Sequence, residues 1–209
     1  MNYIENVFIC LAAPLLLTIL CLRKEARRAL IFVLSGMTAC LLSAYISAFF
    51  TGVAGIEIVD ASYEISPVVE EVLKSLPLLF FILVFEPRKR IVINGALLIS
   101  VGFATFENVC FLTNYGTSNL LRLLIRGFGT GAMHVGCGVV VAAGLFILWG
   151  RAMPQMVGTF ALLCCVITFH AIFNIFADQT GIIFWIGTAF PLLLMPACFL
   201  FFRRRGGPS

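Results

Sequence analysis

The amino-acid sequence predicts an all-α fold, a polytopic transmembrane helical bundle of about seven spans, on three observations. Hydrophobic residues make up 61% of the 209 residues and charged residues only 11%. Apolar runs near the ~20 residues that a bilayer demands recur along the chain. The basic residues cluster in alternate turns between those runs. A mean hydropathy of +1.08 excludes a soluble domain, whose surface could not carry such a composition. With no long linker, low-complexity segment or internal repeat in view, residues 1–209 read as one integral membrane domain.

The first span, Asn6 to Leu22, has Glu5 before it and Arg23, Lys24, Arg27 and Arg28 after it. That order is the reverse of a secretory signal and reads as an uncleaved anchor. The second span, Ala29 to Val53, leads to an acidic loop with Glu57, Asp60 and Glu64. The third, Pro67 to Phe85, is followed by Arg88, Lys89 and Arg90. The fourth, Ile91 to Thr113, ends at the neutral "NYGTSN" from Asn114 to Asn119, and the fifth, Leu120 to Trp149, is followed by Arg151. The sixth, Pro154 to Ala177, and the seventh, Ile182 to Phe202, complete the set before Arg203, Arg204 and Arg205. Basic turns mark the cytoplasmic side, which places the N-terminus outside and the C-terminus inside. The net charge of +4 therefore belongs to the membrane-facing turns, and no nucleic-acid partner is expected. A multi-pass protein of a cell membrane follows, and a bacterial cytoplasmic membrane fits.

As one helix the fifth span would be roughly 45 Å long against a ~30 Å hydrocarbon core, so it must tilt, enter late or break. Gly127, Gly129 and Gly131 mark the place for a break or for close packing against a neighbour. Cys10, Cys21, Cys40, Cys110, Cys137, Cys164, Cys165 and Cys198 all fall within or at the ends of apolar runs. They read as packing residues rather than a disulfide or metal framework.

Against this background the ionisable residues of spans three to six stand out, because a charge at the bilayer centre costs from a few to more than ten kcal/mol. They are Glu70, Glu71 and Lys74 in "PVVEEVLKSLPLL", Glu107 with Asn108 in "GFATFENVCFL", Arg126 and His134 in "RGFGTGAMH", and His170 and Asn174 in "TFHAIFN". At ~1.5 Å of rise per residue, Glu70 and Glu71 lie roughly 5 to 7 Å below the outer end of their span. Glu107 lies roughly 9 Å down, His134 and His170 roughly 12 Å and Asn174 roughly 6 Å. The spacing thus predicts one layer near the extracytoplasmic face, within a core of about residues 67–177. Glu70 and Lys74 share a helix face at i,i+4, as do His170 and Asn174. Glu70 and Glu71 point about 100° apart, so one is expected to do chemistry and the other to orient or bind.

A glutamate in a low-dielectric pocket suits general-base work on water, with histidine and asparagine opposite it as donors to an oxyanion. Those parts make amide hydrolysis plausible without a serine or cysteine nucleophile. The same histidines and glutamates could instead hold Zn²⁺ with an activated water, and no HExxH spacing decides between the two.

The four segments carry, in order, an EExxK motif, an FxxxE pattern followed by Asn, an Arg and His segment, and an HxxxN motif. In this the chain resembles the PrsW family of intramembrane proteases, relatives of the CAAX prenyl endopeptidases and the wider CPBP group. The resemblance covers about Pro67 to Asn174. It implies that Glu70 and Glu71 are the catalytic glutamate pair, that Glu107 helps to bind water or metal, and that His134 is a further ligand or base. It implies that His170 and Asn174 form an oxyanion hole or complete the water site, with Glu70 as the base oriented by Lys74, and with Asn108 and Arg126 in support. The metal set, if there is one, is Glu71, Glu107, His134 and His170. The CAAX branch carries His where this chain has Glu107, which leaves glutamate-type and metal-type catalysis both open. The implied substrate is a membrane-anchored protein cut near the extracytoplasmic face, of the anti-sigma-factor type. A proton- or ion-coupled carrier, or a catalytically idle scaffold or immunity protein, are the alternative classes for such buried groups.

Overall fold

The computed structural model describes residues 4–85, 88–116, 119–148 and 152–205. Trp149, Arg151 and part of the 114–119 loop, on which the reading of the topology drew, lie outside the described residues. Among the described residues eight helices follow one another: α1 (Ile4–Cys21), α2 (Lys24–Ala54), α3 (Ile58–Glu64), α4 (Ser66–Phe85), α5 (Lys89–Tyr115), α6 (Leu120–Leu148), α7 (Ala152–Ala177) and α8 (Gly181–Arg205). Each predicted span corresponds to one of the seven long helices. Among the described residues no strand occurs. Hydrocarbon gives an exposed backbone group no partner, so the chain satisfies its amides within helices.

Among the described residues five helices are long and apolar enough by length and composition to cross a membrane, with a shorter apolar stretch at Gly181–Pro196. The remaining long helix, α4, carries Glu70, Glu71 and Lys74 in its 20 residues. About seven spans fit this set.

The short α3 is an addition to the predicted elements. The segment after α2 was expected to be an acidic loop; it turns at Gly55, whose φ of 66° is the left-handed conformation that glycine adopts without a steric penalty. Seven residues of helix then lead into α4. Asn174 Nδ2 donates to the Ser62 carbonyl at 3.0 Å and the Tyr63 hydroxyl donates to Asp178 Oδ2 at 2.7 Å, pinning α3 to the end of α7.

Close backbone approach holds the bundle together. A Cβ on Gly36 of α2 would stand 2.0 Å from the Ile99 carbonyl oxygen of α5, and one on Gly102 of α5 would stand 2.0 Å from that of Val33. These reciprocal notches let α2 and α5 meet backbone to backbone, the usual role of small residues between membrane helices. The fifth predicted span is a continuous α6, without a break at its glycines. Gly129 instead meets the Thr188 carbonyl oxygen of α8, 2.7 Å from where a Cβ would be.

Two apolar clusters fill the interior. One contains Phe32, Leu78, Ile82, Ile99, Met133 and Val141 and closes the bundle on one side of the ionisable residues. The other sets Met37, Cys40, Phe103 and Phe106 against Phe8 and Leu11 of α1, where Phe8 meets Phe106 edge to face.

Candidate active site

Four helices contribute to one polar cluster. From α4 come Glu70, Glu71 and Lys74, from α5 Glu107, from α6 Arg126 and His134, and from α7 His170. Glu71, Lys74, His134 and His170 are all buried, which in a bundle of this composition is tolerated only when the groups satisfy one another.

The contacts form a chain. Arg126 Nη2 lies 3.8 Å from Glu107 Oε1, and Glu107 Oε2 lies 2.5 Å from His134 Nε2. His134 Nδ1 is 3.2 Å from Lys74 Nζ, which donates to Glu71 Oε1 at 2.7 Å. Glu71 Oε1 also meets His170 Nδ1 at 2.9 Å, and His170 Nε2 ends the chain 3.7 Å from Glu70 Oε2.

Donor inventory assigns the protons. An ammonium has only hydrogens to give, so His134 Nδ1 accepts from Lys74 and Nε2–H donates to Glu107. The Glu71 carboxylate accepts, so His170 Nδ1–H donates to it and the lone pair of Nε2 is left facing Glu70. Glu70 Oε2 is buried and has no hydrogen-bond partner among the described residues, and the same holds for Glu71 Oε2. Two electron-pair donors, one nitrogen and one oxygen, therefore face each other across 3.7 Å, a separation that one bridging group bound beside the pair can span.

The cluster has a closed end and an open end. Side-chain exposure is 0% at Glu71 and 1% at His170 but 16% at Glu70, 21% at Arg126 and 27% at Glu107. The cluster is thus exposed on the side of Glu70, Glu107 and Arg126. Arg126 is held there by the Phe111 ring, 3.6 Å below its Cζ. Beneath the closed end, Phe103 packs against His134 with ring centroids 4.8 Å apart, and the two histidine rings meet edge to face at 5.0 Å.

The sequence reading placed Lys74 with Glu70, and the structure places its Nζ on Glu71. Both i,i+3 and i,i+4 partners share a helix face, and His134 draws the ammonium toward Glu71. Asn174 sits one turn from His170, yet its amide nitrogen bonds α3. Asn108 Nδ2 reaches the Gly127 carbonyl at 3.5 Å, tying α5 to α6 beside Arg126. Phe103, the aromatic residue of the FxxxE pattern, lies one turn from Glu107 and packs on His134. The Ser62–Tyr63 end of α3 was not singled out in the sequence, because a backbone carbonyl carries no signal there.

Of the residues proposed as metal donors, Glu71 and Glu107 face histidine nitrogens, while donor atoms of Glu70, His134 and His170 lie within 4.8 Å of one another. The chemistry of this set fits a divalent cation. Nitrogen and carboxylate donors are those zinc takes, and His170 is backed by a carboxylate on its other nitrogen, as metal-binding histidines usually are. With the histidines neutral, three carboxylates stand against Lys74 and Arg126, leaving one formal negative charge for a cation to meet. His134 would join the set by releasing one of its two present partners.

A family model described as PrsW family intramembrane metalloprotease matches residues 24–202. The match runs from the start of α2 into α8 and contains every residue of the cluster. No curated protein and no solved structure matches the chain.

Proposed function

Since the chain belongs to the PrsW family of intramembrane metalloproteases, we propose that it hydrolyses a peptide bond of a membrane-anchored protein near the extracytoplasmic face, with Glu70 and His170 handling the water. The observation that carries this reading is the pair of facing donors, His170 Nε2 and Glu70 Oε2 at 3.7 Å, where the buried network meets its more exposed side at Glu70.

Water bound beside these two atoms, within reach of both, gives a proton to the Glu70 carboxylate as its oxygen attacks the scissile carbonyl carbon. The carbonyl π electrons move onto oxygen, and the tetrahedral adduct collapses with cleavage of the C–N bond. The proton on Glu70 then passes to the leaving amine, restoring the carboxylate. Glu71 holds the His170 ring through Nδ1, so Nε2 stays aimed at the water. Arg126, at the open rim, offers positive charge toward the developing oxyanion. Glu70, His134 and His170 are the groups that would hold a divalent cation such as Zn²⁺, which when bound supplies Lewis-acid polarisation and a more acidic water.

The apolar cluster of Phe32, Leu78, Ile82 and Ile99 on one side of the network supports a one-sided hydrolase over a carrier, which needs polar groups reaching both faces. An anti-sigma-factor-type substrate in a bacterial cytoplasmic membrane is the setting this reading takes.

Co-expression with single-span membrane proteins tests it. Wild type should cleave at least one of them, and Glu70→Gln and His170→Ala, present at equal membrane levels, should not. Identical fragment patterns from wild type and both variants would overturn the assignment.

A further inference from the structure

Away from the active site, two adjoining concavities, one between α2 and α4 and one between the starts of α2 and α5, share Arg28, Phe32 and Ile91. The first, about 630 Å³, is walled by Ile31, Phe80, Phe81 and Phe85 and backed by Pro77. The second, about 1120 Å³, is rimmed by Arg28, Arg88, Lys89 and Arg90 with one carboxylate, Glu25. Both are at or above the size of small-ligand sites, about 300–1,000 Å³.

Local sequence explains the shape. Pro77 stands inside α4, where it removes an amide donor from the helix, and its ring lines the first concavity. Phe81 meets Phe32 edge to face at 4.9 Å and closes the floor, while Ile31, Phe80 and Phe85 remain exposed along the wall. The basic turn that follows α4 and the basic start of α2 then meet at one end of the groove.

An apolar trough ending in a cluster of guanidinium and ammonium groups matches one amphiphile that a bilayer supplies. We propose that this groove binds an anionic phospholipid, its phosphate held by Arg28, Arg88 and Arg90 and an acyl chain lying along Phe80, Phe85 and Ile31. Arginine forks bind phosphate oxygens in a bidentate manner, and basic pockets between membrane helices are the usual seats of acidic headgroups. Glu25 at the rim disfavours a headgroup with further negative charge. Because α4 also carries Glu70, Glu71 and Lys74 above Pro77, the lipid fixes the lower half of the helix whose upper half builds the catalytic network.

The test uses the purified full chain in detergent, with Tm followed as phosphatidylglycerol, phosphatidylcholine or glycerol phosphate is added. Phosphatidylglycerol should raise Tm in a saturable way, while phosphatidylcholine and glycerol phosphate should not. The rise should vanish in Arg28→Gln/Arg90→Gln and in Ile31→Trp, which fills the trough, and persist in Arg23→Gln, whose charge lies off the rim. An equal rise with phosphatidylcholine, or an undiminished rise in both groove variants, would overturn the proposal. A full response to glycerol phosphate alone would overturn it too, by making the site one for free phosphate. Since the readout is binding, it is independent of whether the chain cleaves anything.

Discussion

His170 presents its two ring nitrogens to two adjacent glutamates of one helix: Nδ1 lies 2.9 Å from Glu71 Oε1 and Nε2 lies 3.7 Å from Glu70 Oε2. Because neighbouring helical residues diverge by about 100°, only a ring lying between them can touch both. In the proposed mechanism the pair is thereby divided into an orienting carboxylate and a reacting one.

Glu71→Gln should keep the fold and lower cleavage by about 10- to 100-fold, the usual cost of losing a carboxylate behind a ligand or base histidine. Glu71→Ala should behave differently, because it strands the buried Lys74 ammonium and His170 together. A loss of about 3–5 kcal/mol is expected for breaking such a pair from one side. Thermal melts of both variants beside their cleavage rates would separate orientation from stability.

Asn174→Ala and Tyr63→Phe should each loosen α3 by about 1 kcal/mol, the worth of one hydrogen bond. Hydrogen exchange over residues 58–64 should accelerate in both, while the Glu70–His170 geometry is kept. The bond to Asp178 holds the Tyr63 phenol above its usual range, in its neutral form. Its contribution is therefore complete below the ordinary tyrosine pKa of about 10 and is lost only as pH rises through the higher folded value. Exchange protection of α3 that falls between pH 6 and 8 would contradict this.

Gly36→Ala and Gly102→Ala should each destabilise by more than the ~1–3 kcal/mol typical of overpacking, since the obstruction is a carbonyl of the facing backbone. Gly131→Ala, with nothing within 4 Å of the new Cβ, should leave Tm unchanged or higher. Melting temperatures of the three variants in one detergent check the contrast.

Zinc content should follow the same geometry. Protein purified without chelator should retain a divalent cation in wild type and lose most of it in Glu70→Gln and His170→Ala, with Asn174→Ala unchanged. Elemental analysis of the four preparations gives the answer, with far-UV dichroism checking that each keeps its helices.

Much of this was legible in the sequence because lipid imposes so severe a filter. Seven apolar runs gave seven helices, and Glu70, Glu71, Glu107, His134 and His170 stood out as groups hydrocarbon excludes unless they meet. The finer choices were not legible. Lys74 had acceptable partners at i−3 and i−4, and the decision fell to His134, sixty residues away. Asn174 shared a face with His170, but its partner is a backbone carbonyl on α3, a helix too short for hydrophobic periodicity to reveal. The glycines of α6 could mark a break or a contact, and only the position of Thr188 on α8 distinguishes them.

The most direct test of the central claim is the rate of cleavage by purified protein in proteoliposomes, with a single-span substrate that the wild type cuts, comparing Glu70→Gln with wild type in a single turnover. Loss of the general base predicts a fall of about 10²–10⁴-fold with substrate binding retained. A Glu70→Gln enzyme that cleaves at the wild-type rate would contradict the account, and would move the chemistry to another member of the network.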